Sequence, residues 1–315
     1  MSFLVELDRQ AFPDNALDRL DPTPRSGLDQ FSLDNARAMM WLSQLAYETA
    51  HRSKVENILS AWNLTLHAFV SNDPITGLPP DSACVVAAGG RGATIVSFSG
   101  TDPVKIRAWI TDFRAAPSAT GLHSGFQDAV ETVWPTIKTV IANRPDSEQS
   151  LFFTGHSMGG ALALIAAERA MRELNAKATA VYTFGGPRTG GSAFFDSYTP
   201  PLGNSTFRLV HGNDVVPTVP PALADGFRHV GRALQCPTDG RFDEQTTIMA
   251  PEENKPDFIE SFFQNGLAEL RSFTPAHLID GVAQRLLDLP AGVLPGMVRD
   301  HVPKSYFRAL SIPLR

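Results

Sequence analysis

The chain has 315 residues, 43% of them hydrophobic, and carries 27 Lys and Arg against 33 Asp and Glu for a formal net charge of −6. That length is enough to bury the large core of a single α/β domain. The mild acidity, with no basic run interleaved with aromatics, argues against nucleic acid as a partner, and no apolar stretch approaches the roughly 18 residues that cross a membrane. In chain order, the first residues, Met1 to Asp8, lack the basic start and long apolar region of a secretory signal. The expected location is therefore cytoplasmic, or secreted or cell-surface if a leader was removed. Residues 1–30 contain Pro22 and Pro24 and read as an N-terminal arm. Helical spacing follows over 33–62, through Leu33, Ala36, Met40, Leu42 and Leu45, then Val55, Ile58 and Leu59, with Ser32 or Asp34 available as the cap. Three strand-like runs occupy 65–70, 83–87 and 93–99. Residues 126–141 read as a helix in which Pro135 marks a kink or an early turn. Two more apolar, β-branched runs lie at 178–184 and 206–210, and helical spacing returns over 256–289. Strands alternating with helices predict an α/β fold with a mainly parallel central sheet covered by helices on both faces. Cys84 and Cys236 lie far apart and fit no metal spacing, so they read as free thiols.

The most informative segment is Gly155-His156-Ser157-Met158-Gly159. A short apolar run, Ser150 to Phe153, precedes it, and an Ala-rich stretch, Gly160 to Ala167, follows. Strand, Gly-x-Ser-x-Gly turn and helix together form the context of a nucleophile elbow. A serine hydroxyl is a weak nucleophile, so it needs a histidine base and a carboxylate to orient that base. On folds of this kind the order along the chain is Ser, then Asp or Glu, then His. Asp214 stands in Asn213-Asp214-Val215-Val216-Pro217, directly after a predicted strand, where functional loops of a parallel sheet collect. The same Asn-Asp pair also suits an ordinary turn. Three histidines follow it, His229, His277 and His301, and chemistry alone leaves open which is the base. An acyl-transfer intermediate also needs N–H donors for its oxyanion. Met158, just after the serine, supplies one, and Ser97-Phe98-Ser99-Gly100-Thr101 at a strand end suits the second.

These residues resemble the class 3 (fungal-type) lipase family. The resemblance runs in order through Phe98-Ser99-Gly100-Thr101, Ile106 to Phe113, His123-Ser124-Gly125-Phe126, the Ser157 elbow, Asn213 to Pro217, and Asp300-His301 followed by Tyr306. It covers roughly residues 80–230 and the last twenty. It implies an α/β-hydrolase fold over 1–315 as one domain, with Ser157 as nucleophile, Asp214 as acid, His301 as base, and Thr101 and Met158 as oxyanion donors. The 123–126 segment is implied to be structural, and His229 is excluded as the base. Ile106, Trp109, Ile110 and Phe113 recur at i, i+3, i+4 and i+7, an amphipathic stripe that suits a lid helix within 102–120. Such a lid implies activity that rises at a lipid surface.

Three features depart from the family's pattern. Ser99 stands where an arginine is common. Asp214 and His301 are 87 residues apart, which predicts a helical insertion over 241–297 that is itself a second candidate for the mobile cap. Two cysteines also cannot supply the disulfide framework of secreted members.

The implied activity is hydrolysis of carboxylic esters, foremost triacylglycerols, with no metal or organic cofactor and with an acyl-ester lipid as the partner. Phospholipase A1, thioesterase and acyltransferase chemistry use the same triad. A non-catalytic hydrolase-like binding protein is a more distant reading, and a peptidase on this fold has no specific support.

Overall fold

The computed structural model describes residues 12–23, 31–71, 83–89, 92–101, 121–145, 150–220, 226–246, 248–249 and 296–313. Among the described residues, eight strands form one sheet in chain order: β1 (Leu64–Val70), β2 (Cys84–Gly89), β3 (Ala93–Phe98), β4 (Ser150–His156), β5 (Ala180–Phe184), β6 (Thr206–His211), β7 (Arg232–Cys236) and β8 (Ile248–Met249). From β3 to β7 every pairing is parallel, while β1–β2, β2–β3 and β7–β8 are antiparallel. Around the sheet lie α1 (Leu33–Leu45), α2 (Arg52–Ala61), α3 (Ser124–Ala142), α4 (Met158–Leu174), α5 (Ser192–Leu202), α6 (Gly296–His301) and α7 (Pro303–Ala309).

Side chains alternate across a strand, and here the alternation divides the interior into two cores. Ile95, Phe152, Tyr182 and Leu209 face one core, which also takes Met39 and Trp41 of α1 and Phe307 of α7. Val96, Phe153 and Val181 face the other, which holds Val133 and Ile137 of α3 and Leu162 and Ala166 of α4. Because both faces are covered, β3 and β5 are buried along their whole length. They therefore read as continuous apolar runs rather than as alternating ones.

Several local expectations resolve physically. Ser32, not Asp34, caps α1, its hydroxyl accepting from the Asn35 N–H at 3.2 Å. Helix α3 continues through Pro135. Glu131, whose carbonyl loses its helical donor there, lies on the exposed side of the helix, open to solvent. Residues 12–23 of the expected arm are not extended. They turn over 14–19 and bury Phe12, Leu17 and Leu20. Phe12 lies 5.5 Å from the Trp41 ring and 5.6 Å from that of Trp62, and Trp62 Nε1 donates to the Pro13 carbonyl at 2.7 Å.

Both cysteines are free and buried, and burial pushes each thiol up to about 12. Within the expected insertion 241–297, residues 241–246 hold a turn, residues 248–249 form β8, and residues 296–297 begin α6. The predicted helical stretch 256–289, His277 and the lid segment 102–120 with Ile106, Trp109, Ile110 and Phe113 lie outside the described residues.

Candidate active site

The parallel strands end along one edge of the sheet, and the candidate residues gather there. Register pairs Phe98 with Gly155, His156 with Phe184, and His211 with Cys236. The residues just beyond β3, β4 and β6 are Thr101, Ser157 and Asp214.

Ser157 forms the elbow itself. Its backbone sits at φ 58°, ψ −133°, a region that costs a non-glycine residue about 1–3 kcal/mol. Close packing enforces the turn: a Cβ on Gly155 would fall on the Gly159 carbonyl, and one on Gly159 would fall on the Phe98 carbonyl. The serine N–H donates to the Phe184 carbonyl at 2.9 Å. Helix α4 begins at the next residue, so the Met158 N–H belongs to the first turn and has no intrahelical acceptor.

The end of β3 presses on this elbow. A Cβ on Gly100 would stand 2.9 Å from Ser157 Cβ and 2.6 Å from the His156 carbonyl oxygen, so only glycine lets the strand end pass. Thr101 follows, buried, and its hydroxyl donates to Met158 Sδ at 3.6 Å. The two expected oxyanion donors are therefore neighbours across the elbow.

Asp214 and His301 meet although 87 residues separate them. His301 Nδ1 lies 2.9 Å from both carboxylate oxygens of Asp214. Tyr306 donates its hydroxyl to Asp214 Oδ2 at 2.6 Å, and the Val216 N–H donates to Oδ1 at 2.9 Å. Three donors thus converge on the carboxylate, and the histidine ring is left with Nε2 as its unused nitrogen. Burial, followed by the neighbouring Asp214 charge, pushes the Tyr306 hydroxyl well above its ordinary value, so it stays a donor. Both His301 Nε2 and Ser157 Oγ are buried, and neither makes a hydrogen bond to a described residue. Such a serine–histidine bond is commonly long before substrate binds.

The loops carrying Asp214 and His301 are tied together. Asp300, next to the histidine, accepts from the Asn213 N–H at 2.9 Å and from the Thr238 hydroxyl at 2.8 Å. Arg188, buried, donates to the Thr218 and Pro220 carbonyls at 2.6 and 2.9 Å. His229 Nε2 donates to the Pro217 carbonyl at 2.7 Å. Burial and the charges of Arg208 and Arg188 hold His229 well below the usual imidazole range, so it stays neutral and supports the loop.

Ser157, Asp214, His301, Thr101 and Met158 are therefore brought together, while the four lid residues lie outside the described residues. Tyr47 and Arg188 carry no signal in the sequence, whereas His156 and Asp300 stand beside the serine and the histidine in the quoted segments.

Comparison with known proteins agrees with this geometry. Residues 95–224 match the family model for lipase (class 3). The secreted mono- and diacylglycerol lipase 1 of Fusarium solani is 34% identical over 155 residues, covering 47% of this chain and 45% of that protein. A lipase of Rhizomucor miehei is 36% identical over 163 residues, covering 48% and 44%. The chain thus spans a little under half the length of these curated relatives. Among solved structures, the native propeptide complex of Rhizomucor miehei lipase aligns with a TM-score of 0.52 at 25% identity, covering 71% of this chain and 80% of that one. The triacylglyceride lipase of Rhizomucor miehei shares the fold, with a TM-score of 0.58 at 23% identity, covering 74% and 91%. With its mostly parallel sheet and its elbow, this chain has the α/β-hydrolase fold, and its segment 95–224 is similar to the class 3 lipase family.

Proposed function

We propose that the protein is a serine-dependent carboxylic-ester hydrolase that acts on acylglycerols through an acyl-enzyme. The observation that carries this reading is the Asp214–His301 pair at 2.9 Å, set beside a strained Ser157 at a strand–helix turn. Asp214 and Tyr306 fix the imidazole with Nδ1 protonated, which leaves Nε2 to accept a proton. Ser157 Oγ attacks the ester carbonyl carbon while Nε2 takes its proton. The carbonyl π electrons move onto oxygen, and the N–H groups of Thr101 and Met158 receive that charge. Each such donor is worth roughly a hundred- to a thousandfold in rate. Collapse of the intermediate breaks the bond to the alcohol, which leaves with the proton from His301. Water activated by the same nitrogen then releases the fatty acid and restores the serine.

The acylglycerol preference draws on the relatives, one named a mono- and diacylglycerol lipase and one a lipase. Among the described residues, no helix is long and apolar enough to cross a membrane. The cytoplasmic expectation has nothing in its favour from the relatives, whereas the Fusarium relative is named as secreted.

The test is hydrolysis of matched mono-, di- and triacylglycerols, a diacyl phospholipid and an acyl thioester, with and without added alcohol. Acylglycerol turnover that falls about a millionfold in Ser157→Ala is expected, the loss seen when a triad acts as a unit. Serine-dependent turnover confined to phospholipid or thioester, or transfer to the alcohol in place of hydrolysis, would overturn the substrate assignment and keep the nucleophile.

A further inference from the structure

Tyr47 lies in the 3₁₀ turn Ala46–Glu48 directly after α1. Its hydroxyl stands 2.8 Å from Nδ1 of His156, the residue before the serine. The other nitrogen, His156 Nε2, lies 2.7 Å from the main-chain carbonyl of His301, 145 residues away. A carbonyl only accepts, so Nε2 carries the hydrogen. Burial and the neighbouring His301 hold the His156 imidazole well below its usual range, so the ring is neutral and its bare Nδ1 accepts from Tyr47. The His156 and His301 rings lie 4.7 Å apart at 32°. The Tyr47 hydroxyl also abuts Gly100, where a Cβ would overlap it, immediately before Thr101. The half-buried Tyr47 and the buried His156 together therefore touch the elbow, the strand end bearing an oxyanion donor, and the main chain of the base.

The base needs such a tether. His301 arrives on a six-residue helix, far in sequence from the elbow. Its bonds to Asp214 fix the orientation of the ring but not the distance of its main chain from Ser157. We propose that His156 is a positioning residue that sets the base-to-nucleophile distance by holding the His301 carbonyl, with Tyr47 fixing the tautomer this requires. The inference rests on the serine-hydrolase reading above. It also predicts which atom matters. A glutamine amide nitrogen can take the place of Nε2, whereas an asparagine amide reaches only the Nδ1 side.

The experiment measures kcat and KM on dissolved p-nitrophenyl butyrate, with thermal midpoints, for the full chain and for His156→Asn, His156→Gln, Tyr47→Phe and Ser157→Ala. His156→Asn is expected to lower kcat by about 10- to 100-fold with KM within about twofold, the scale of a misplaced catalytic group. His156→Gln is expected to recover most of that loss. Equal kcat values for the Asn and Gln variants, whether both intact or both impaired in step with the thermal midpoint, would overturn the positioning role. If His156→Asn does not fold, Tyr47→Phe decides. A fall in kcat of several-fold at unchanged KM and thermal midpoint supports the tether, and an unchanged kcat overturns it. Full activity in Ser157→Ala would instead overturn the serine-hydrolase reading itself, so the two failures are distinguishable.

Discussion

At the scale of single residues, the chemistry is concentrated in groups whose partners lie far away in sequence. Tyr306 shows what one such partner contributes. Its hydroxyl, 2.6 Å from Asp214 Oδ2, is a hydrogen bond to a buried carboxylate. Tyr306→Phe removes only that oxygen, so the expected loss is about 1.5–3 kcal/mol of stability, the range for bonds to charged groups. Urea unfolding checks this, and a change under about 0.5 kcal/mol, the level of a neutral surface substitution, would show the bond to be dispensable. Ser157, Asp214 and His301 were readable in the sequence for a chemical reason. A nucleophile on a tight turn demands flanking glycines, and the triad order restricts the rest. The chemistry alone left three histidines standing, and the family resemblance selected His301. Tyr47 was not readable. It sits in an ordinary helical pattern, and its bond to His156 spans 109 positions that no local motif records.

At the scale of elements, the elbow is a junction of backbones with no room between them. A methyl on Gly155 must displace the Gly159 main chain, whereas one on Gly160 meets Thr183 Cβ at 3.1 Å and Gly186 Cα at 3.2 Å, a contact relieved by small shifts. Gly155→Ala is expected to cost more than about 3 kcal/mol, at or beyond the usual limit for overpacking, and Gly160→Ala about 1 kcal/mol. Soluble yield and thermal midpoint of the two variants check the ranking, and equal behaviour would contradict the packing described. The central strands were readable because a strand covered on both faces is an unbroken apolar run. Strand β7 was not, because Arg232, Ala233 and Gln235 are only partly covered and its pattern matches no simple period. Strand β8 is two residues long and exists through its pairing with β7. The end of the N-terminal arm misled because its buried residues, Phe12, Leu17 and Leu20, are too sparse to show a period, yet together they seat against α1 and α2.

At the scale of the whole molecule, folding encloses His156 and His229 as neutral imidazoles, and burial lowers His123 as well. His156 and His229 are both buried and held well below 6.5, the value of a free imidazole. Below that pH the unfolded chain binds protons at these histidines that the folded chain refuses. Stability is therefore complete above about pH 6.5 and declines as pH falls, with each histidine contributing a slope of about 1.4 kcal/mol per pH unit. Urea unfolding between pH 8 and 5 should show a plateau and then a decline, and His229→Gln should make the decline shallower. A flat profile through pH 5 would mean that these rings protonate without loss of the fold. The central claim, that this edge of the sheet is built to make Ser157 a nucleophile, is tested most directly by a fluorophosphonate probe read by peptide mass spectrometry. Stoichiometric modification at Ser157, absent from Ser157→Ala and slowed in His301→Ala, is the expected result. A folded protein whose Ser157 stays unmodified would contradict it, and the site would then be a scaffold without chemistry.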